Sequence, residues 1–172
     1  NLEEGHRADG AVFNRFGLMP VIRSVDTEAE HEVFLDDITV NGVTEDFESD
    51  PAWDEVGNRE TYNSCIVRPR FDFGYSPTRN ADGNDAGELG GVVWRGDFSE
   101  TAKMAHYADP IEVVSVTGSL KASGKVSLDQ GVSDSSVLIG WFHSVLSRQN
   151  GNVNNSLPQN FMGIAVEGPS QE

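Results

Sequence analysis

The chain has 172 residues, 37% apolar and 23% charged, which suits one folded domain with a real core and excludes a disordered chain. Its 28 acidic against 12 basic residues give a formal charge of −16. That is the wrong sign for nucleic acid or an anionic membrane surface, and it suits neutral sugars, divalent cations or basic partners.

In chain order, Ala11–Met19 and Val21–Val25 are short apolar runs broken by Pro20. Glu32–Val40 is β-branched and aromatic with charge in its middle, and Asn41-Gly42 closes it as a turn. The stretch Asn41–Asp50 is the best candidate for a seam. Ser64–Phe73 reads as a strand that Pro69 keeps out of a sheet interior. Leu89–Arg95 and Ile111–Thr117 read as further strands, with a short helix expected at Ser99–Ala105. Leu120–Leu128 alternates strictly. Leu120, Ala122, Gly124, Val126 and Leu128 share one face, predicted to be buried, and Lys121 and Lys125 share the solvated one. Ser136–Val145 is continuously apolar, and Gly140 with its β-branched neighbours favours a strand over a helix. Asn150–Pro158 is an Asn-rich loop before a last strand at Asn160–Val166. About eight strands punctuated by turn residues predict an all-β antiparallel sandwich or barrel.

No run approaches the roughly 20 apolar residues of a spanning helix, and the opening residues do not read as a signal peptide. The acid is uneven: residues 1–60 carry 16 carboxylates and 113–172 only four, which either sets the first third apart from the rest or is simply a solvated acidic face. Cys65 is the only cysteine, which excludes an internal disulfide and a thiolate zinc cage. HExxH, GxSxG, GxGxxG and P-loop patterns are absent, and the four histidines have no metal-ligand spacing.

The densest chemistry lies in Asn80–Glu88, where Asp82, Asn84, Asp85 and Glu88 put hard oxygen ligands on a Gly-rich loop suited to calcium. It is not an EF-hand, since Ala86 and Val93 stand at the fifth and twelfth positions; the bland alternative is an Asx-rich turn. Trp94, Arg95, Tyr107 and Tyr75 compose a candidate polar and aromatic rim able to stack on a pyranose and donate to its hydroxyls. Trp53 and Trp141 read as core packing. The Glu-x-Asp-x-x-Glu strand that would hold a glycosidase's carboxylates on one face does not occur, and the adjacent Asp36 and Asp37 are expected on opposite faces.

From Glu45 to Glu172 the stretches DFESDPAWD, RFDFGYSPT, GELGGVVWRGD, AHYADP, LKASGKVSL, LIGWFHS and NFMGIAVEGPS resemble concanavalin A-like lectin/glucanase modules of large exported bacterial proteins. Residues 1–44 resemble the closing strands of such a jelly roll, with EVFLDDITVNG carrying the terminal DD-[IL]-T pattern. The resemblance implies a jelly-roll sandwich over 45–172, with 1–44 either finishing a preceding module or supplying permuted strands of the same one. It also implies an exported or cell-surface location. Together with the residues above, it leads to the expectation of a non-catalytic carbohydrate-binding or adhesive module, with calcium as a possible cofactor. Glycans and neighbouring copies or modules, meeting through strand edges, are the expected partners. A structural surface-layer module and a glycoside hydrolase or lyase are the alternatives.

Overall fold

The structure, a computed structural model, describes residues 10–20, 31–59, 71–93, 105–131, 136–147 and 158–169. Within them the chain is an antiparallel β-sandwich without helix. Ten strands run in chain order: β1 Val12–Pro20, β2 Glu32–Val40, β3 Val43–Glu45, β4 Asp54–Val56, β5 Phe71–Ser76, β6 Glu88–Val93, β7 His106–Ser115, β8 Ala122–Gln130, β9 Ser136–Phe142 and β10 Phe161–Glu167. The expected helix, the Val21–Val25 run, Cys65, and both Trp94 and Arg95 lie outside the described residues.

One sheet has the order β10-β9-β1-β7-β4. In the other, β2 is the hub: it pairs with β6 over Glu32–Leu35, with β3 over Ile38–Val40, and along its other edge with β8, while β5 flanks β6. The hairpin from β2 to β3 turns on Asn41 and Gly42, both at positive φ, as their Asn-Gly sequence demands. Residues 12–40 thus supply an interior strand to each sheet.

Period two decides what goes inside. Phe13, Phe16 and Leu18 of β1, Val33 and Leu35 of β2, Phe71 and Phe73 of β5, Leu89 and Val93 of β6, and Val137, Ile139 and Trp141 of β9 fill one continuous core. Trp53 and Trp141 are core residues, as the sequence leads one to expect; Trp53 packs its ring between Phe47 and Tyr107, at 5.2 and 5.7 Å between centroids. Fully burying such rings is worth roughly 1.5–3 kcal/mol each in transfer terms.

Two expectations need correction. Val126 and Leu128 are not buried but 45% and 40% exposed. Their face is the expected one, for Val126 stands opposite Leu35 and Leu128 opposite Val33, both core residues. What fails is the cover: among the described residues β8 is the last strand of its sheet, with no further strand beside it. Asp36 and Asp37 also break the expected alternation. Asp37 takes a left-handed backbone (φ 49°) within a register shift between Asp36 and Thr39. There its carboxylate meets Lys125, the residue paired opposite Asp36.

Candidate functional site

The outer face of the β5-β6-β2 sheet is built by the residues that the core does not take. Register aligns Asp72 with Val92 and Glu32 in one row across the three strands, and Gly74 with Gly90 and Phe34 in the next. Gly90 is required here: a Cβ would come within 2.6 Å of Phe34 Cδ1, so the missing side chain gives the phenyl ring its seat. Beside this ring lies a shallow groove of about 470 Å³, bordered by Glu32, Arg59, Asp72, Tyr75 and Thr78. Arg59 spans it. Its Nη1 donates to Asp72 Oδ1 at 2.7 Å and its Nη2 to the Tyr75 carbonyl at 2.8 Å, with Glu55 at 3.7 Å. The guanidinium is half exposed, so it is held in place while still open to another acceptor.

The acidic loop closes one end of this face. Glu88 is completely buried, and its two carboxylate oxygens are spent on the loop itself. Oε1 accepts from the Thr78 hydroxyl and the Asn80 amide, and Oε2 accepts from the Ala81 amide at 2.7 Å. Further ties come from the Gly87 amide to the Thr78 carbonyl and from Arg79 Nε to the Gly83 carbonyl. Gly83 lies directly on the buried Asp36, where any Cβ would collide with the carboxylate. Burial pushes the Asp36 pKa above the ordinary carboxylate value, with Asp37 and Glu88 adding to the shift against the Asp37 amide and Lys125. Lys125 bonds Asp37 Oδ2 at 2.8 Å and the Asp82 carbonyl at 3.0 Å, and its pKa is raised, foremost by the hydrogen bond with Asp37. The loop is thereby stitched to β2 and β8.

The residues singled out in sequence therefore separate. Asp82, Asn84 and Asp85 are exposed on the loop, whereas Glu88 faces inward and does not join them. Among the described residues no group of three or more His, Cys, Asp and Glu side chains is gathered as a metal set. Tyr107 is 1% exposed: its ring packs on Trp53 and its hydroxyl donates to Asp50 Oδ1 at 3.2 Å, so it offers no open face to a sugar. Burial, then the Asp50 charge, pushes its pKa far above the ordinary phenol value. Tyr75 does border the groove, contributing its carbonyl to Arg59 while its ring packs partly against the core.

Glu32, Phe34, Arg59 and Asp72 are absent from the sequence-derived set. Asp72 in FDF and Glu32 before VFL could have been assigned outward by alternation. Bringing them to one groove requires the β5-β6-β2 strand order, which no local pattern contains.

A second concavity, of about 580 Å³, opens between the two sheets where β8 faces β9 and β10. It is lined by core side chains and bordered by Lys121 and Lys125.

No family model, curated protein or solved structure matches the chain.

Proposed function

We propose that this chain is a non-catalytic carbohydrate-binding module of jelly-roll, concanavalin A-like type, belonging to an exported protein, and that the groove over Phe34 and Gly90 takes the sugar. The observation that carries the proposal is the gathering, in one shallow groove floored by Gly90 and the largely buried Phe34, of a fixed Arg59–Asp72 pair with Glu32. A pyranose has the matching polar character: hydroxyls that accept from a guanidinium and donate to carboxylates. Two carboxylates against one guanidinium, in a chain of −16, favour neutral sugars over uronates. Calcium enters this reading through Asp82, Asn84 and Asp85 with loop carbonyls, since the Glu88 oxygens already accept from the loop.

The test is a glycan array followed by calorimetry on the parent and on Asp72→Ala and Arg59→Ala. Binding of neutral oligosaccharides that falls at least tenfold in both variants supports the reading. An array without signal returns the chain to the structural or adhesive alternative, and release of reducing ends from a bound polysaccharide would make it an enzyme.

A further inference from the structure

The sheets part where the β2–β3 hairpin stands over β7. Ile38 pairs with Glu45 and Val40 with Val43, so Glu45 and Val43 share the core-facing side of the hairpin. On β7, Asp109 stands opposite the core residue Phe16, just as Tyr107 stands opposite Leu18. Period two therefore turns the Asp109 carboxylate inward, between the sheets. A groove of about 480 Å³ opens there, lined by the aliphatic side chains of Ile38, Val40, Val43, Ile111 and Val114 with Trp53 beside them. Val43 is 74% exposed although it faces the core side.

Asp109 is the group that this groove leaves unanswered. Among the described residues its carboxylate makes no hydrogen bond and no ion pair. Burial pushes its pKa up, and the cation that acts against this, Arg15, is already committed to Asp54 through Nε at 2.7 Å and Nη2 at 2.6 Å. The other ionisable side chains of the lining, Glu45 and Glu112, are also acids. An outward carboxylate in a chain of −16 is simply solvated, whereas an inward one among aliphatic side chains gives up water and gains no partner.

An occupant that answers both halves of the groove is an aliphatic stem ending in a cation. Lysine has that form. Arginine gains less, because Trp53 is closed between Phe47 and Tyr107 and offers no open indole face for a guanidinium to stack on. We infer that the groove between β3 and β7 seats a lysine side chain from an extended segment of a basic partner protein, its ammonium on Asp109 and its stem along Val40, Val43 and Ile111. The charge of −16 steers such a partner toward the chain, and the open Val43 gives apolar residues flanking the lysine a surface to cover. The site shares no residue with the sugar groove, which lies on the outer face of the β5-β6-β2 sheet.

The probe is the blocked peptide Ala-Val-Lys-Val-Ala, titrated to millimolar concentration while the amide shifts of Val43 and Ile111 are followed by NMR. Norleucine for lysine keeps the stem and removes the charge, and it should weaken binding about tenfold, the worth of one charge-assisted hydrogen bond. Arginine for lysine should weaken it about threefold. Asp109→Asn should also weaken it about tenfold, with stability in urea unchanged or raised, because this carboxylate has no partner to lose. Glycan binding should be the same in Asp109→Asn as in the parent, so failure here and failure of the sugar reading are told apart. Equal affinity for the norleucine peptide, undiminished affinity of Asp109→Asn, or no shift at millimolar peptide overturns the inference. Diaminopentane binding as tightly as the peptide also overturns it, because the occupant is then a free amine. So does a parent dimer that Asp109→Asn dissociates in sedimentation, because the occupant is then a second copy.

Discussion

Replacing Glu88 by glutamine tests whether a single buried carboxylate organises the acidic loop. In the parent, two oxygens accept three hydrogen bonds, from Thr78, Asn80 and Ala81. A glutamine can turn its carbonyl toward Thr78 and Asn80, but its NH₂ then faces the Ala81 amide, donor against donor. One charge-assisted bond, worth about 1.5–3 kcal/mol, is lost, and a buried N–H is left unanswered at about 1–3 kcal/mol. The two figures overlap in part, so a loss of about 2–5 kcal/mol is expected, a large share of the roughly 5–15 kcal/mol that holds a domain folded. Glu88→Ala should cost more, since all three donors lose their acceptor. Urea unfolding measures the total, and amide exchange at Asn80 and Ala81 locates it, with protection lost there first. A change below about 0.5 kcal/mol with Asn80 and Ala81 still protected would refute the anchoring role, because surface substitutions lie in that range.

Other outcomes follow from neighbouring geometry. Gly83→Ala should destabilise by about 1–3 kcal/mol in urea titrations, the ordinary cost of overpacking, and Asp36→Ala made in the same chain should recover part of it. Phe13→Ala, at a fully buried site in β1, should cost about 3–5 kcal/mol by the same assay. Calcium should raise the melting temperature of the parent and not that of Asp85→Ala; identical melting of the two with calcium and with chelator removes calcium from the proposal.

The pH dependence has two opposed parts. Burial lowers the His31 pKa below its ordinary 6.5, the Val166 backbone offsetting part of this. Below pH 6.5 the unfolded chain then holds more protons at this site, so stability falls as pH drops through that window. Burial raises Asp36 and Asp109 above their ordinary 3.8, against the pull of Lys125 on the first and Arg15 on the second. The folded chain keeps those protons longer, so each contributes stability that is gained as pH falls through its raised pKa. Urea titrations across this range should show His31→Gln removing the loss below 6.5 and Asp36→Asn removing part of the acid-side gain. Coincident parent and variant curves would refute both assignments.

Strand positions were legible where β-branched and aromatic runs end in turn residues: Glu32–Val40 with its Asn-Gly turn matches β2 and the start of the β2–β3 hairpin residue for residue, although its alternation breaks at Asp36–Asp37. β7 is longer than Ile111–Thr117 because Pro110 hides its first half, which stands beside the interior strand β1. That half carries Tyr107 into the core. Read locally, His106-Tyr107 is a polar aromatic pair; packed, the ring is one more hydrophobic payload with its hydroxyl tethered to Asp50. The groove was not legible, because Arg59 and Asp72 are 13 residues apart in sequence, and Glu32 joins them from β2.

β8 shows the limit of such reading most sharply. Alternation assigned Val126 and Leu128 to a face, and the register opposite Leu35 and Val33 agrees. Alternation says nothing of whether another layer lies over that face; this depends on where the strand falls in its sheet, which is a property of pairing order. An interior strand with this pattern would bury both residues, and the same pattern at an edge leaves them open beside the cleft. Lys125, read as a solvated surface charge, turns out to bind the acidic loop to β2. Lys125→Met tests that tie: it should loosen the loop, seen as faster amide exchange at Asp82 and Gly83. Exchange at both positions unchanged from the parent would refute the tie, and the loop would then be held by Glu88 and the Gly83–Asp36 contact alone.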